Sequence, residues 1–78
     1  MSTVTLSTGR VVELREPKAG ELRGIKLLDL LQLDPAAHAP VVDRTTEMTA
    51  AEFYSLGMAD AARIMRGMID FFPQDLAA

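Results

Sequence analysis

Nucleophilic or acid–base catalysis needs a positioned base, and this chain offers one imidazole, His38, to three serines, Ser2, Ser7 and Ser55. His38 lies in a stretch punctuated by Pro35 and Pro40, and no serine is set in a nucleophile turn or beside a glycine-rich oxyanion loop. The acidic pairs Asp29 and Asp34, or Glu47 and Glu52, are spaced as solvated helix surface rather than as an acid–base couple. No loop alternates acids as a calcium site does. Gly20 and Gly24 are four apart, which is not the pattern of a phosphate loop or dinucleotide turn. Without cysteine there is neither a disulfide nor a thiolate metal site. The expectation is a non-enzymatic chain with no catalytic residue, cofactor or metal.

The elements that would position any site come from periodicity and punctuation. Val4 and Leu6 alternate with Thr3, Thr5 and Ser7, and Val12 and Leu14 alternate with Glu13 and Arg15. With Ser7-Thr8-Gly9-Arg10 as the turn, residues 3–15 read as a β-hairpin with Val4, Leu6, Val12 and Leu14 on one face. Glu16-Pro17 ends it. A helix is expected over 19–33, closed by Asp34-Pro35, and 35–48 reads as a linker anchored by Val41 and Val42. Thr49 and Glu52 have capping-box spacing and open a helical segment over 49–72 that breaks near Gly57 and stops at Pro73. Residues 74–78 are expected to fray. Residues 1–78 thus make one small α+β domain: an N-terminal β-hairpin followed by two to three α-helices.

That domain is small for what it has to bury. With 78 residues, 49% of them hydrophobic and 24% charged, the composition is that of a folding chain. A chain of this length buries only about 60% of its unfolded surface. Small domains normally add disulfides, a metal or a partner, and elimination leaves the partner. On a helical wheel over 22–34, Leu22, Ile25 and Leu33 make one stripe and Leu27, Leu28 and Leu31 another, with Leu30 between. Either the hairpin and the C-terminal segment enclose both stripes, or one is left to a partner. In the last helix Ile64, Met65, Met68, Ile69, Phe71 and Phe72 form a broad face, and two adjacent rings at 71 and 72 are hard to bury together. The candidate partner-binding residues are therefore Leu27, Leu28, Leu30, Leu31, Met65, Met68, Phe71 and Phe72, open to a client or to a second copy of the chain.

Charge narrows the partner class. Eight Lys and Arg face eleven Asp and Glu, a net −3, and no three basic residues adjoin. Nucleic acid is not expected as a partner on these electrostatics. A small dimeric DNA-binding or antitoxin-like regulator remains the alternative, with Arg63 and Arg66 as its thin set of cations. Leu27–Leu33 is interrupted by Asp29 and Gln32 and is too short to span a bilayer, and the N-terminus lacks the pattern of a signal peptide. No membrane partner is expected, and the chain is expected to be cytoplasmic.

The run Leu14-Arg15-Glu16-Pro17-Lys18-Ala19-Gly20-Glu21-Leu22-Arg23-Gly24-Ile25-Lys26-Leu27-Leu28-Asp29-Leu30 resembles the small tail assembly chaperones of Mu-like and related contractile-tailed bacteriophages. So does the later pattern Met48-Thr49-Ala50-Ala51-Glu52-Phe53, Leu56, Ala59-Asp60 and Phe71-Phe72. Gly57-Met58 departs from the Asp-Pro-like step usual before Ala59-Asp60. The resemblance implies a non-enzymatic role in phage or prophage tail morphogenesis. Such proteins coat the helical tape measure protein in the bacterial cytoplasm before the tail tube polymerises round it, and are absent from the mature virion. The family commonly makes a longer second product by ribosomal frameshifting.

Overall fold

The computed structural model describes residues 2–73. An antiparallel hairpin, β1 (Ser2–Thr5) and β2 (Val11–Leu14), is followed by a single 3-10 turn at Ala19–Leu22. Four helices follow: α1 (Leu27–Leu31), α2 (Pro35–Thr45), α3 (Ala50–Tyr54) and α4 (Met58–Ile69). The α+β class expected from the sequence is the class observed.

The hairpin follows its pattern. Val4 pairs with Val12 and Ser2 with Leu14. Leu6 N–H donates to the Arg10 carbonyl at 2.8 Å, and Gly9 N–H donates to the Leu6 carbonyl at 2.9 Å. This three-residue loop needs a left-handed residue at its third position, and Gly9 supplies it with φ of 92°. Leu6, Val12 and Leu14 are buried and Val4 half-buried, so the alternation does select the core face.

The expected helix over 19–33 does not form as one piece. The chain turns once at Ala19–Leu22, reverses through Gly24 at φ 75°, and only then forms α1, five residues long. Two side chains account for the interruption. Glu21 is forked by Arg15, whose Nη1 lies 2.8 Å from Oε1, and also accepts the Lys18 N–H at 2.9 Å. Arg44, from far along the chain, donates to the carbonyls of Glu21 at 2.9 Å and Arg23 at 3.1 Å. A continuing helix would take those carbonyls for its own ladder. The end of α1 is a Schellman closure: Asp34 N–H reaches the Asp29 carbonyl and Leu33 N–H the Leu30 carbonyl. Leu33 holds the left-handed position, φ 61°, that glycine normally occupies.

The expected linker over 35–48 is mostly helix. Asp34 caps α2 by accepting the Ala36 N–H at 3.0 Å, and Pro35 sits at the first helical position, where its missing N–H loses nothing. Pro40 lies inside the helix without ending it. Ala37, Ala39, Val41 and Val42 are buried along it, and this burial outweighs the lost backbone bond. The capping box at Thr49 and Glu52 forms as its spacing predicts, with Glu52 N–H 3.1 Å from Thr49 Oγ1 and Thr49 N–H 3.0 Å from Glu52 Oε1. The break near Gly57 also forms, with Gly57 as the N-cap of α4. The last helix ends at Ile69 rather than 72, and single turns follow through Phe71 and Phe72. The expected fraying of 74–78 lies outside the described residues.

The core is shared by the hairpin face, Leu30 of α1, the buried side of α2, Met48, Phe53 and a face of α4 comprising Ala61, Ile64, Met65 and Met68. Gly67 allows α4 to approach the hairpin closely. A Cβ there would stand 2.7 Å from Leu14 Cδ1 and 3.2 Å from Val4 Cγ2, closer than carbon atoms pack. Alanine at 67 would gain about 1 kcal/mol of helix propensity but overpack by about 1–3 kcal/mol. Gly67→Ala is expected to lower stability by about 1 kcal/mol in urea unfolding. With Leu14→Val in the same chain, the combined loss should be smaller than the sum of the two single losses. Strict additivity would mean that position 67 has room to spare.

Candidate functional site

The eight residues singled out as partner-binding separate by exposure. Leu30, Met65 and Met68 are almost wholly buried, at 0%, 1% and 0% exposed, and belong to the core. This corrects the expectation that they face a partner. Leu27, Leu31, Phe71 and Phe72 are half-buried, and Leu28 is 62% exposed. The grading follows from helical geometry. Taking Leu30 as pointing inward, Leu27, Leu31 and Leu28 fall at roughly 60°, 100° and 160° around the helix. Each step along this arc carries the side chain further from the core. α1 packs against both α2 and α4, and Leu27, Phe71 and Phe72 lie along the rim of the core. The result is an apolar arc on α1 centred on Leu31 and Leu28.

Among the described residues, three other large apolar side chains are exposed: Val11, Tyr54 and Met58, the last at 70%. They were not among the candidates. Tyr54 follows the buried Phe53, whose ring it meets edge-on at a centroid distance of 6.2 Å. Adjacent helical residues diverge by about 100°, which turns Tyr54 outward once Phe53 is inside.

Several polar side chains hold the fold together. Ser7 donates twice to Asp60, from its N–H at 3.0 Å and from its hydroxyl at 2.7 Å, and Arg63 Nη1 lies 3.1 Å from the same carboxylate. The Ser7 bonds, then the Arg63 charge, hold the Asp60 carboxyl below the usual carboxylate range. A wheel over α4 does signal this residue: Asp60 shares its face with Ile64 and Met68, where an acid needs a partner. Glu52 is lowered by the Thr49 N–H and then by Arg10, whose Nη1 is 3.0 Å away. Glu21 is lowered to about 2, chiefly by the Arg15 fork and then by the Lys18 N–H. With Arg63 paired to Asp60, Arg66 is the only unpaired cation of α4 among the described residues, thin provision for a DNA phosphate backbone.

His38 is fully buried in α2. Its Nε2 is 2.8 Å from the Leu30 carbonyl, so this nitrogen carries the proton and donates, while Nδ1 is buried without a partner among the described residues. The serine hydroxyls that hydrogen-bond elsewhere are Ser7, on Asp60, and Ser55, on the Glu52 carbonyl. No three His, Cys, Asp or Glu side chains group as a metal ion requires, again among the described residues. No helix among them is long and apolar enough to cross a membrane.

A cleft of about 460 Å3 runs between β2 and the α2–α3 connection, from Arg10 to Arg15 on one side and from Thr45 to Met48 on the other. No family model matches the chain, and neither a curated protein nor a solved structure does.

Burial pushes the His38 imidazole below its ordinary value, because the charged form would need an acceptor at Nδ1 that the core does not offer. A lowered imidazole pKa leaves stability intact above the unfolded value, about 6.5, and removes it as pH falls below that. The lowered carboxyls act in a separate window: their contribution is present above about pH 4 and is lost below it. Stability is therefore expected to fall in two pH windows as acid is added. His38→Gln can keep a donor to the Leu30 carbonyl but cannot titrate. In urea melts it should flatten the stability profile between pH 7 and 5 and leave the fall in the lower window in place. An unchanged fall in the upper window in His38→Gln would refute this assignment.

Proposed function

We propose that this chain is a tail assembly chaperone of a contractile-tailed phage or prophage, which holds the tape measure protein during tail morphogenesis and performs no chemistry. The observation that carries the reading is the apolar arc on α1. Leu28 stands more than half exposed beside half-buried Leu27 and Leu31. Leu27 and Leu28 lie in the same Arg-Glu-Pro-to-leucine run that resembles the chaperone family, and Leu31 directly follows it. A helical client offers an apolar stripe at i, i+3, i+4 and i+7, and a short arc of leucines is the complement of such a stripe. The place of action that follows is the cytoplasm of the bacterial host, with the protein released before the virion is complete.

The arc and the core can be tested separately. Leu28→Asp changes an exposed side chain and should move monomer stability by no more than about 0.5 kcal/mol. Leu30→Ala empties a buried site and should lower stability by about 2–5 kcal/mol. In co-expression with the tape measure protein of the same genome, the native chain should keep the client soluble and co-purify with it. Leu28→Asp should weaken that complex by about 30-fold, equivalent to about 2 kcal/mol. A client that is equally soluble without the chain, or a Leu28→Asp complex of native affinity, would overturn the reading.

A further inference from the structure

Neither edge of the two-stranded hairpin is covered by a further strand, and the β2 edge opens into a cleft. Leu6 and Arg10 are a hydrogen-bonded pair, and the register alternates from there, so Val12 and Leu14 turn their backbone groups toward β1. Val11 and Glu13 turn theirs the other way, into the cleft between β2 and the Thr45–Met48 connection. None of these outward amides and carbonyls has a hydrogen-bond partner among the described residues. The facing wall is in the same condition at one point: the hydroxyls of Thr45 and Thr46 bond back to the carbonyls of Val41 and Val42, but Glu47 makes no hydrogen bond there. A row of unpaired strand donors and acceptors opening into a cleft is a template for another strand.

We propose that this cleft binds an extended peptide segment carrying a basic residue, which adds to β2 as the third strand of the sheet. A second copy of the chain does not fit the same place. Its β2 would bring its own 45–48 connection into the space that this wall already occupies, whereas a single strand needs only the slot. Charge selects the side chains. Arg10 and Arg15, at the two ends of the cleft, are neutralised by Glu52 and Glu21. Glu13 and Glu47, on opposite walls, form no ion pair among the described residues. The cleft is acidic in effect, and a lysine or arginine across from Glu13 meets it. Val11, exposed on the same face as Glu13, favours a β-branched neighbour two residues along. Main-chain bonds supply affinity and the alternating side chains supply selectivity, the mode of strand addition. This binding is separate from that of a helical client on α1 and stands or falls independently of it.

The test uses the whole chain and a blocked hexapeptide whose second, fourth and sixth residues are valine, lysine and valine with threonine between them, so that valine and lysine share one face, followed by amide hydrogen exchange and NMR shifts. Saturating peptide should slow exchange at Val11 and Glu13 by at least tenfold, while the Leu28 amide stays unchanged. Val11→Pro removes one outward N–H that the β1 ladder does not use, and should weaken the peptide by about fivefold to tenfold, the worth of one hydrogen bond. Glu13→Lys, an exposed change that leaves the fold alone, should reverse the preference toward the same peptide with glutamate in place of lysine. Three results would overturn the proposal: shifts centred on α1, equal binding of a peptide with proline at alternate positions, or protection of Val11 and Glu13 that rises with protein concentration in the absence of peptide.

Discussion

The Asp60 carboxylate accepts both the N–H and the hydroxyl of Ser7, and in doing so ties the first turn of the chain to its last helix across 53 residues. A two-stranded hairpin is marginal in water by itself. It persists here because α4 offers it two things at once, a charged anchor for its turn at Asp60 and a bare backbone at Gly67, against which Leu14 and Val4 can close. The two residues lie seven apart on α4, nearly two turns, so the hairpin is held along the length of one helix face rather than at a point. The other elements fill the space that this clamp defines. Phe53, Met48, Leu30 and the buried side of α2 complete the core around it.

That clamp also explains which parts of the fold could be read in advance. The hairpin, the Thr49–Glu52 cap and the break at Gly57 are set by residues within three or four positions of each other, and each forms as its local pattern indicates. The stretches 19–33 and 35–48 depart from their local pattern for the opposite reason. Whether residues 19–23 continue as helix depends on Arg44, some 20 positions downstream, taking their carbonyls. Whether Pro40 ends a helix depends on how much Val41 and Val42 bury beyond it. Proline and glycine register in the sequence as punctuation; their effect is decided by contacts that the sequence does not display.

The candidate site divides along the same line. An apolar surplus around Leu27–Leu31 was legible from the wheel, and the outward placement of Leu28 agrees with it. Leu30 carries the same composition signal but faces the core from the short α1, and Met65 and Met68 share the buried face of α4 with Ile64. The free edge of β2 carried no composition signal at all. Unpaired backbone groups have no residue type, and only the pairing register reveals which amides face outward.

The shortness of α1 gives the apolar arc a conditional character. Five residues are far below the length at which a helix holds itself in water, and α1 is bounded by left-handed residues on both sides, Gly24 and Leu33. What keeps it helical is tertiary: the burial of Leu30 and the hydrogen bond from His38 to the Leu30 carbonyl. The same residue that anchors the helix therefore sets the direction in which Leu28 points. Turning α1 so that Leu31 or Leu27 faced the core would expose Leu30 and take its carbonyl from His38, leaving both ring nitrogens unpartnered in the core. That double penalty fixes the rotational setting of a helix otherwise too short to specify one. A buried polar contact thus determines which leucines of an almost uniformly apolar segment are left at the surface.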